Sequence, residues 1–192
     1  MTVAIALAAC SKAPAPKPGR QELQAGGLTW RVFGGTWKTD GSSLVGSGGH
    51  LESVVDLTDG TIELDVEAAG PSTGMIGVEF RHLVVKDDVG HSSGYGLHVS
   101  GQAFNVFRGA NDYWLPVSPE VKGLSTSSIL DSKRNHVIVR MRGPSFQIEA
   151  NGASLFNFVD EAYPHGHIDL WVESPQATVR FSNIHVTAGG AE

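Results

Sequence analysis

A chain of 192 residues is long enough for one well-buried core and too short to expect two, so a single domain is the expectation. Its 20 acidic residues against 14 basic ones, a formal net charge of −6, repel phosphate backbones and exclude nucleic acid as a natural partner. One cysteine rules out an internal disulfide and a paired-thiolate zinc site, and no apolar stretch approaches the roughly 20 residues that span a bilayer, so membrane attachment is expected through lipid rather than a helix.

The apolar run over residues 3–9 ends at that cysteine, in Leu7-Ala8-Ala9-Cys10-Ser11. This arrangement resembles the lipobox of bacterial lipoproteins. The resemblance implies that residues 1–10 are a signal remnant and that Cys10 is acylated and becomes the mature N-terminus. It also implies a lipid-anchored protein of the bacterial cell envelope, and Ser11 in place of an aspartate resembles the outer-membrane sorting pattern. Only Met1 and Thr2 precede Val3, where a leader should carry a basic stretch, so the expectation is either a start further upstream or an incomplete export signal. Residues 11–25 read as a tether. Pro14, Pro16 and Pro18 fix φ and favour an extended polyproline form at about 3.1 Å per residue, on the order of 40 Å in all.

Residues 26–187 read as one sandwich, with 188–192 as a tail. Thr61-Ile62-Glu63-Leu64-Asp65-Val66-Glu67 alternates polar and apolar without a slip, and His136-Val137-Ile138-Val139-Arg140-Met141 and Val179-Arg180-Phe181 follow the same period. Thr39-Asp40-Gly41, Thr58-Asp59-Gly60, Arg142-Gly143-Pro144 and Ala150-Asn151-Gly152 supply turn chemistry between strands, the last marking a hairpin. No stretch has helical period. The expected fold is all-β, an antiparallel sandwich of jelly-roll type.

Several segments carry a resemblance in their order: Trp30-Arg31-Val32 before Thr36-Trp37-Lys38-Thr39-Asp40-Gly41-Ser42-Ser43-Leu44, then Gly77-Val78-Glu79-Phe80-Arg81, Gly94-Tyr95-Gly96-Leu97, Arg134-Asn135-His136-Val137, Gly166-His167-Ile168-Asp169-Leu170-Trp171, and Phe181-Ser182-Asn183-Ile184-His185-Val186. Together these resemble the concanavalin A-like lectin/glucanase superfamily, laminin G-like modules and the 3-keto-disaccharide hydrolase domain above all. The resemblance implies the jelly roll. It leaves function open, because the fold carries lectins, hydrolases and adhesion modules alike. The keto-disaccharide hydrolases carry an acidic residue after the tyrosine of the "G-Y" strand, where this chain has Gly96.

Glu63, Asp65 and Glu67 match the E-x-D-x-E signature of laminarinase- and lichenase-type glycosidases, and positions i, i+2 and i+4 share one strand face. The same letters spell any strand with an apolar core face and an acidic solvent face, and an ordinary turn precedes them. The expectation is therefore a solvated acidic face, catalysis being the alternative. Alternation favours a binding face instead. With Val78, Leu97 and Leu170 inward, Glu79, Arg81, His98 and Trp171 point outward, and Asn111 and Trp114 lie in a loop over residues 108–116 at the rim. Rings that stack on a pyranose beside charged groups that satisfy its hydroxyls suit a carbohydrate or glycan ligand.

No catalytic residue, cofactor or transition-metal site is assigned, since the eight histidines show no ligand spacing. Structural calcium is the one ion the resemblance leaves room for, at Asp56, Asp59, Asp87 and Asp88. The reading is a non-catalytic carbohydrate- or ligand-binding module. A glycoside or 3-keto-disaccharide hydrolase acting through acids on the sheet face, and an adhesion module that binds protein, stand as its competitors.

Overall fold

Strands with one apolar face must bury it, and two sheets closing on each other bury both. The computed structural model describes residues 20–69, 74–84, 92–110, 113–118 and 124–189, and every regular element among them is a strand. In chain order these are β1 (Glu22–Ala25), β2 (Leu28–Phe33), β3 (Thr36–Asp40), β4 (Ser43–Ser47), β5 (His50–Ser53), β6 (Gly60–Ala69), β7 (Ile76–Val84) and β8 (Ser92–Ser100), then β9 (Ala103–Ala110), β10 (Tyr113–Pro116), β11 (Ser125–Thr126), β12 (Arg134–Arg142), β13 (Ser145–Ala150), β14 (Ala153–Val159), β15 (His167–Val172) and β16 (Thr178–Ala188). The first sheet runs β1-β2-β5-β15-β7-β8-β9-β10, with β11 also on β9, and the second β14-β13-β12-β6-β16-β4-β3. Every ladder is antiparallel, as the jelly-roll expectation requires.

The core lies where alternation placed it. Leu51, Leu170, Val78, Leu97 and Val106 form one cross-strand row of the first sheet, all buried. Ile62, Leu64 and Val66 of β6, with Val137 and Val139 of β12, face them from the second sheet. Phe80, Tyr95, Phe146 and Phe158 close one end, with Phe146 and Phe158 stacked at 4.5 Å between centroids. Each such side chain contributes about 1.5–3 kcal/mol on burial. The Asn-Gly hairpin forms between β13 and β14, where Asn151 and Gly152 take φ of 51° and 80°.

Three local expectations are corrected. The sandwich starts at Glu22, inside the segment read as tether: Leu23 pairs with Trp30, and the indole Nε1 of Trp30 donates to Ala25 O at 3.1 Å. Cys10 and residues 1–19 lie outside the described residues. The segment expected as a loop over 108–116 is strand at 108–110 and 113–116, for β9 runs to Ala110 and β10 pairs back along it.

The third correction shapes the site. On β7, Phe80 pairs with Tyr95 and Leu83 with Ser93, so Arg81 and His82 together face the single residue Gly94. This bulge, with Arg81 at φ 47°, breaks the alternation.

Candidate functional site

The outward face of the first sheet carries two neighbouring cross-strand rows. In one, Glu52 of β5, Asp169 of β15, Glu79 of β7, Gly96 of β8 and Phe107 of β9 stand side by side. In the next, His50, Trp171, Gly77, His98 and Asn105 do the same. Directly opposed residues share a face, so the register alone brings three carboxylates, two imidazoles and two aromatic rings together.

Glycine makes the rings lie flat. A Cβ at Gly77 would sit 2.9 Å from the His98 ring, one at Gly96 2.8 Å from Phe107, and one at Gly109 2.4 Å from Trp114. The missing side chains let an aromatic strip cover the backbone. Trp171 stacks on His98 at 4.6 Å, His98 meets Phe107 edge-on at 4.1 Å, and Phe107 meets Trp114 edge-on at 4.4 Å. The strip, Glu79 and Asp169 line an open cleft of about 470 Å³, together with Met75 and Glu173.

The carboxylates are not left bare. His50 Nδ1 lies 2.6 Å from Asp169 Oδ2, His98 Nε2 lies 3.1 Å from Glu79 Oε1, and His82 bridges Glu52 at 3.2 Å and Glu79 at 3.4 Å. Burial opposes a charged His82, but the charge of Asp169, the hydrogen bond with Glu52 and the charges of Glu79 and Glu52 outweigh it, and its pKa rises from 6.5 to about 9. His50 is also raised: burial works against its charged ring, and the charge and hydrogen bond of Asp169 prevail. Burial pushes the Asp169 carboxyl up, against the pull of His50 and His82. His50, His82 and Asp169 therefore hold their protons more firmly than the same side chains would in water.

Of the residues expected at a binding face, Glu79, His98, Trp171 and Trp114 all line this cleft. Asn111 lies outside the described residues. Arg81 does not belong to the cleft. The bulge turns its guanidinium toward the end of the sandwich, where it is buried over the Phe146 ring and donates to the carbonyls of Thr58, Tyr163 and Gly143. His82 takes the outward position instead. Sequence reasoning also missed His50, Glu52 and Phe107 as site residues and read Asp169 only as outward-facing. The alternating tetrapeptide His50-Leu51-Glu52-Ser53 was the available signal, and it is very short.

Glu63, Asp65 and Glu67 stand on the outward face of the second sheet, across the core from the cleft. They do not form a simple solvated face. Asp65 is only 5% exposed and accepts hydrogen bonds from Arg134 at 2.7 Å and Asn183 at 2.7 Å, with His136 at 2.9 Å. Burial would raise its pKa, but the hydrogen bonds with Arg134, His136 and Asn183 hold it below the ordinary value. His136 also reaches Glu63 at 3.3 Å, and Glu67 is exposed.

Two of the four expected calcium ligands are otherwise engaged. Asp56 pairs with His165, and Asp59 faces the Arg81 guanidinium and accepts from Gly143 N. Asp87 and Asp88 lie outside the described residues. Among the described residues, no group of three or more His, Cys, Asp or Glu side chains is arranged to hold a metal ion.

No family model matches the chain, and no curated protein matches it in sequence. Solved structures do match in fold. The carbohydrate-binding module CBM66 from Bacillus subtilis aligns with a TM-score of 0.67 at 22% identity, over 86% of this chain and 97% of that one. A Bacillus licheniformis β-glucanase aligns at 0.58 and 10% identity, over 91% and 100%. A Bacillus subtilis protein with a galectin-like fold aligns at 0.59 and 12% identity, over 83% and 90%. The chain thus shares its fold, an antiparallel jelly-roll sandwich, with these three structures.

Proposed function

We propose that the protein is a lipid-anchored module of the bacterial cell envelope whose cleft binds a saccharide without cleaving it. The observation that carries this reading is the aromatic strip of Trp171, His98, Phe107 and Trp114 lying beside Glu79 and Asp169 in one open cleft. Ring faces pack on the apolar face of a pyranose while carboxylates and imidazoles take its hydroxyls. Binding is favoured over hydrolysis because Glu52, Glu79 and Asp169 are each held by an imidazole and at most 5% exposed. A retaining glycosidase needs one carboxylate free to attack the sugar and a second free to donate a proton. The likeness to a carbohydrate-binding module supports the reading by analogy of fold.

Removing the ring in Trp171→Ala should weaken binding by about 1–3 kcal/mol, the scale of one large apolar contact. A glycan array finds the ligand, and calorimetry beside thermal melts reads the change. Unchanged affinity with a collapsed melting temperature would make Trp171 a structural residue and refute the site. For the anchor, Cys10→Ser should move the protein from the membrane fraction to the soluble one, because each buried acyl carbon contributes about 0.8 kcal/mol. Wild type and variant fractionating alike would refute it.

A further inference from the structure

The cleft is rich in carboxylate acceptors, and its neutral donors, the Asn105 amide and the Trp114 and Trp171 indoles, carry no charge to match them. Glu79, Asp169 and Glu173 line it, Glu52 stands beside Asp169 in the same row, and among the described residues no lysine or arginine lines it. Its ionisable donors are the three imidazoles, and each is already turned on a carboxylate. Asn105 adds an acceptor that nothing answers: its Oδ1 is buried at the cleft without a hydrogen-bond partner among the described residues. A buried acceptor left alone is costly, so an occupant that donates to it is favoured. The ring faces of Trp171 and Trp114 add the negative side of their quadrupoles.

A neutral sugar brings as many acceptors as donors to such a place. A protonated amine brings three donors, no acceptor and a positive charge to a cleft where, with Glu52 included, carboxylates outnumber imidazoles and no lysine or arginine lines the wall among the described residues. Resting on the reading of the cleft as a saccharide site, we infer that it selects a sugar bearing a free, protonated amino group, a glucosamine-type residue, over neutral and acidic sugars. The net charge of −6 acts in the same sense, drawing in a cation and repelling uronate or sulfate.

The test is titration calorimetry of the full chain with β-1,4-linked glucosamine oligomers, their N-acetylated counterparts, glucose oligomers and uronate oligomers of equal length. The free-amine oligomers should bind about tenfold tighter than the N-acetylated ones. That advantage should narrow with added salt and vanish once pH passes the amine's own titration. Equal affinity for free and acetylated oligomers, or tightest binding of the uronates, overturns the inference and leaves the saccharide reading standing. Amine binding that survives Trp171→Ala undiminished belongs to the acidic surface at large and overturns it as well. No binding of any oligomer overturns both.

Discussion

Replacing His82 by glutamine removes the imidazole that Glu52 and Glu79 share across the intervening strand β15. The ring is 1% exposed. It is faced by Glu52 and His50 from β5, Asp169 and His167 from β15, and Glu79 from its own strand. Its pKa stands near 9 in the folded protein against 6.5 for the free side chain, so the folded state binds this proton more tightly than the unfolded chain does. The stabilisation is then fully present below pH 6.5 and is lost as pH rises through about 9, and its full size is about 3 kcal/mol. Against the roughly 5–15 kcal/mol that holds a domain together, such a loss is easily read. Urea unfolding of wild type and His82→Gln across that pH interval gives the assay. The variant should be the less stable at the acid end, and the two curves should converge by about 3 kcal/mol toward the alkaline end. Curves that stay parallel throughout would mean that His82 is neutral in the fold, and the electrostatic account of the cleft would fall.

Arg81→Met should lower stability by about 3–5 kcal/mol in denaturant melts, because it strips the charged donors from three carbonyls at a buried position. The partly exposed Asp59 adds little to that figure. The opposite pattern, intact stability with weakened saccharide binding, would return Arg81 to the cleft. Asp65→Asn should cost about 1–3 kcal/mol at neutral pH. Since the folded state holds this carboxyl's pKa below its ordinary value, its contribution is present above that value and disappears as pH falls through the folded one, so the variant should lose less stability in acid than wild type. Glu63→Gln and Glu67→Gln, on the far sheet, should leave saccharide binding as it is, measured by the same calorimetry. A loss of binding there would move the site to the second sheet.

The long, regular strands were legible because their alternation is uninterrupted. β6 and β12 present Ile62, Leu64, Val137 and Val139 inward as read, and the Asn-Gly pair turns where its chemistry demands. Alternation likewise set Glu79, His98 and Trp171 on one face. What failed was the inference from outward to solvated. Asp65 and Glu79 both point away from the core, yet each is buried among partners delivered by other strands, and no local pattern announces a partner from another strand. The bulge at Arg81 and His82 was equally silent. Neither residue is a glycine or proline, and the pairing that forces the extra residue is set by Gly94 on a strand farther along the chain. β5 was too short for its period to be read, and with it went His50 and Glu52.

The bulge gives β7 two reading frames. Up to Phe80 the odd-numbered residues look toward the cleft, and past it the even-numbered His82 does so, while Arg81 serves as a bolt at the end of the sandwich. One extra residue thus splits a single strand between holding the two sheets shut and furnishing the site. Were Arg81 and His82 drawn into regular register without the bulge, the two tasks would be transposed, sending a guanidinium among the carboxylates and an imidazole into the seam. The extra residue is therefore what keeps each side chain at its own task.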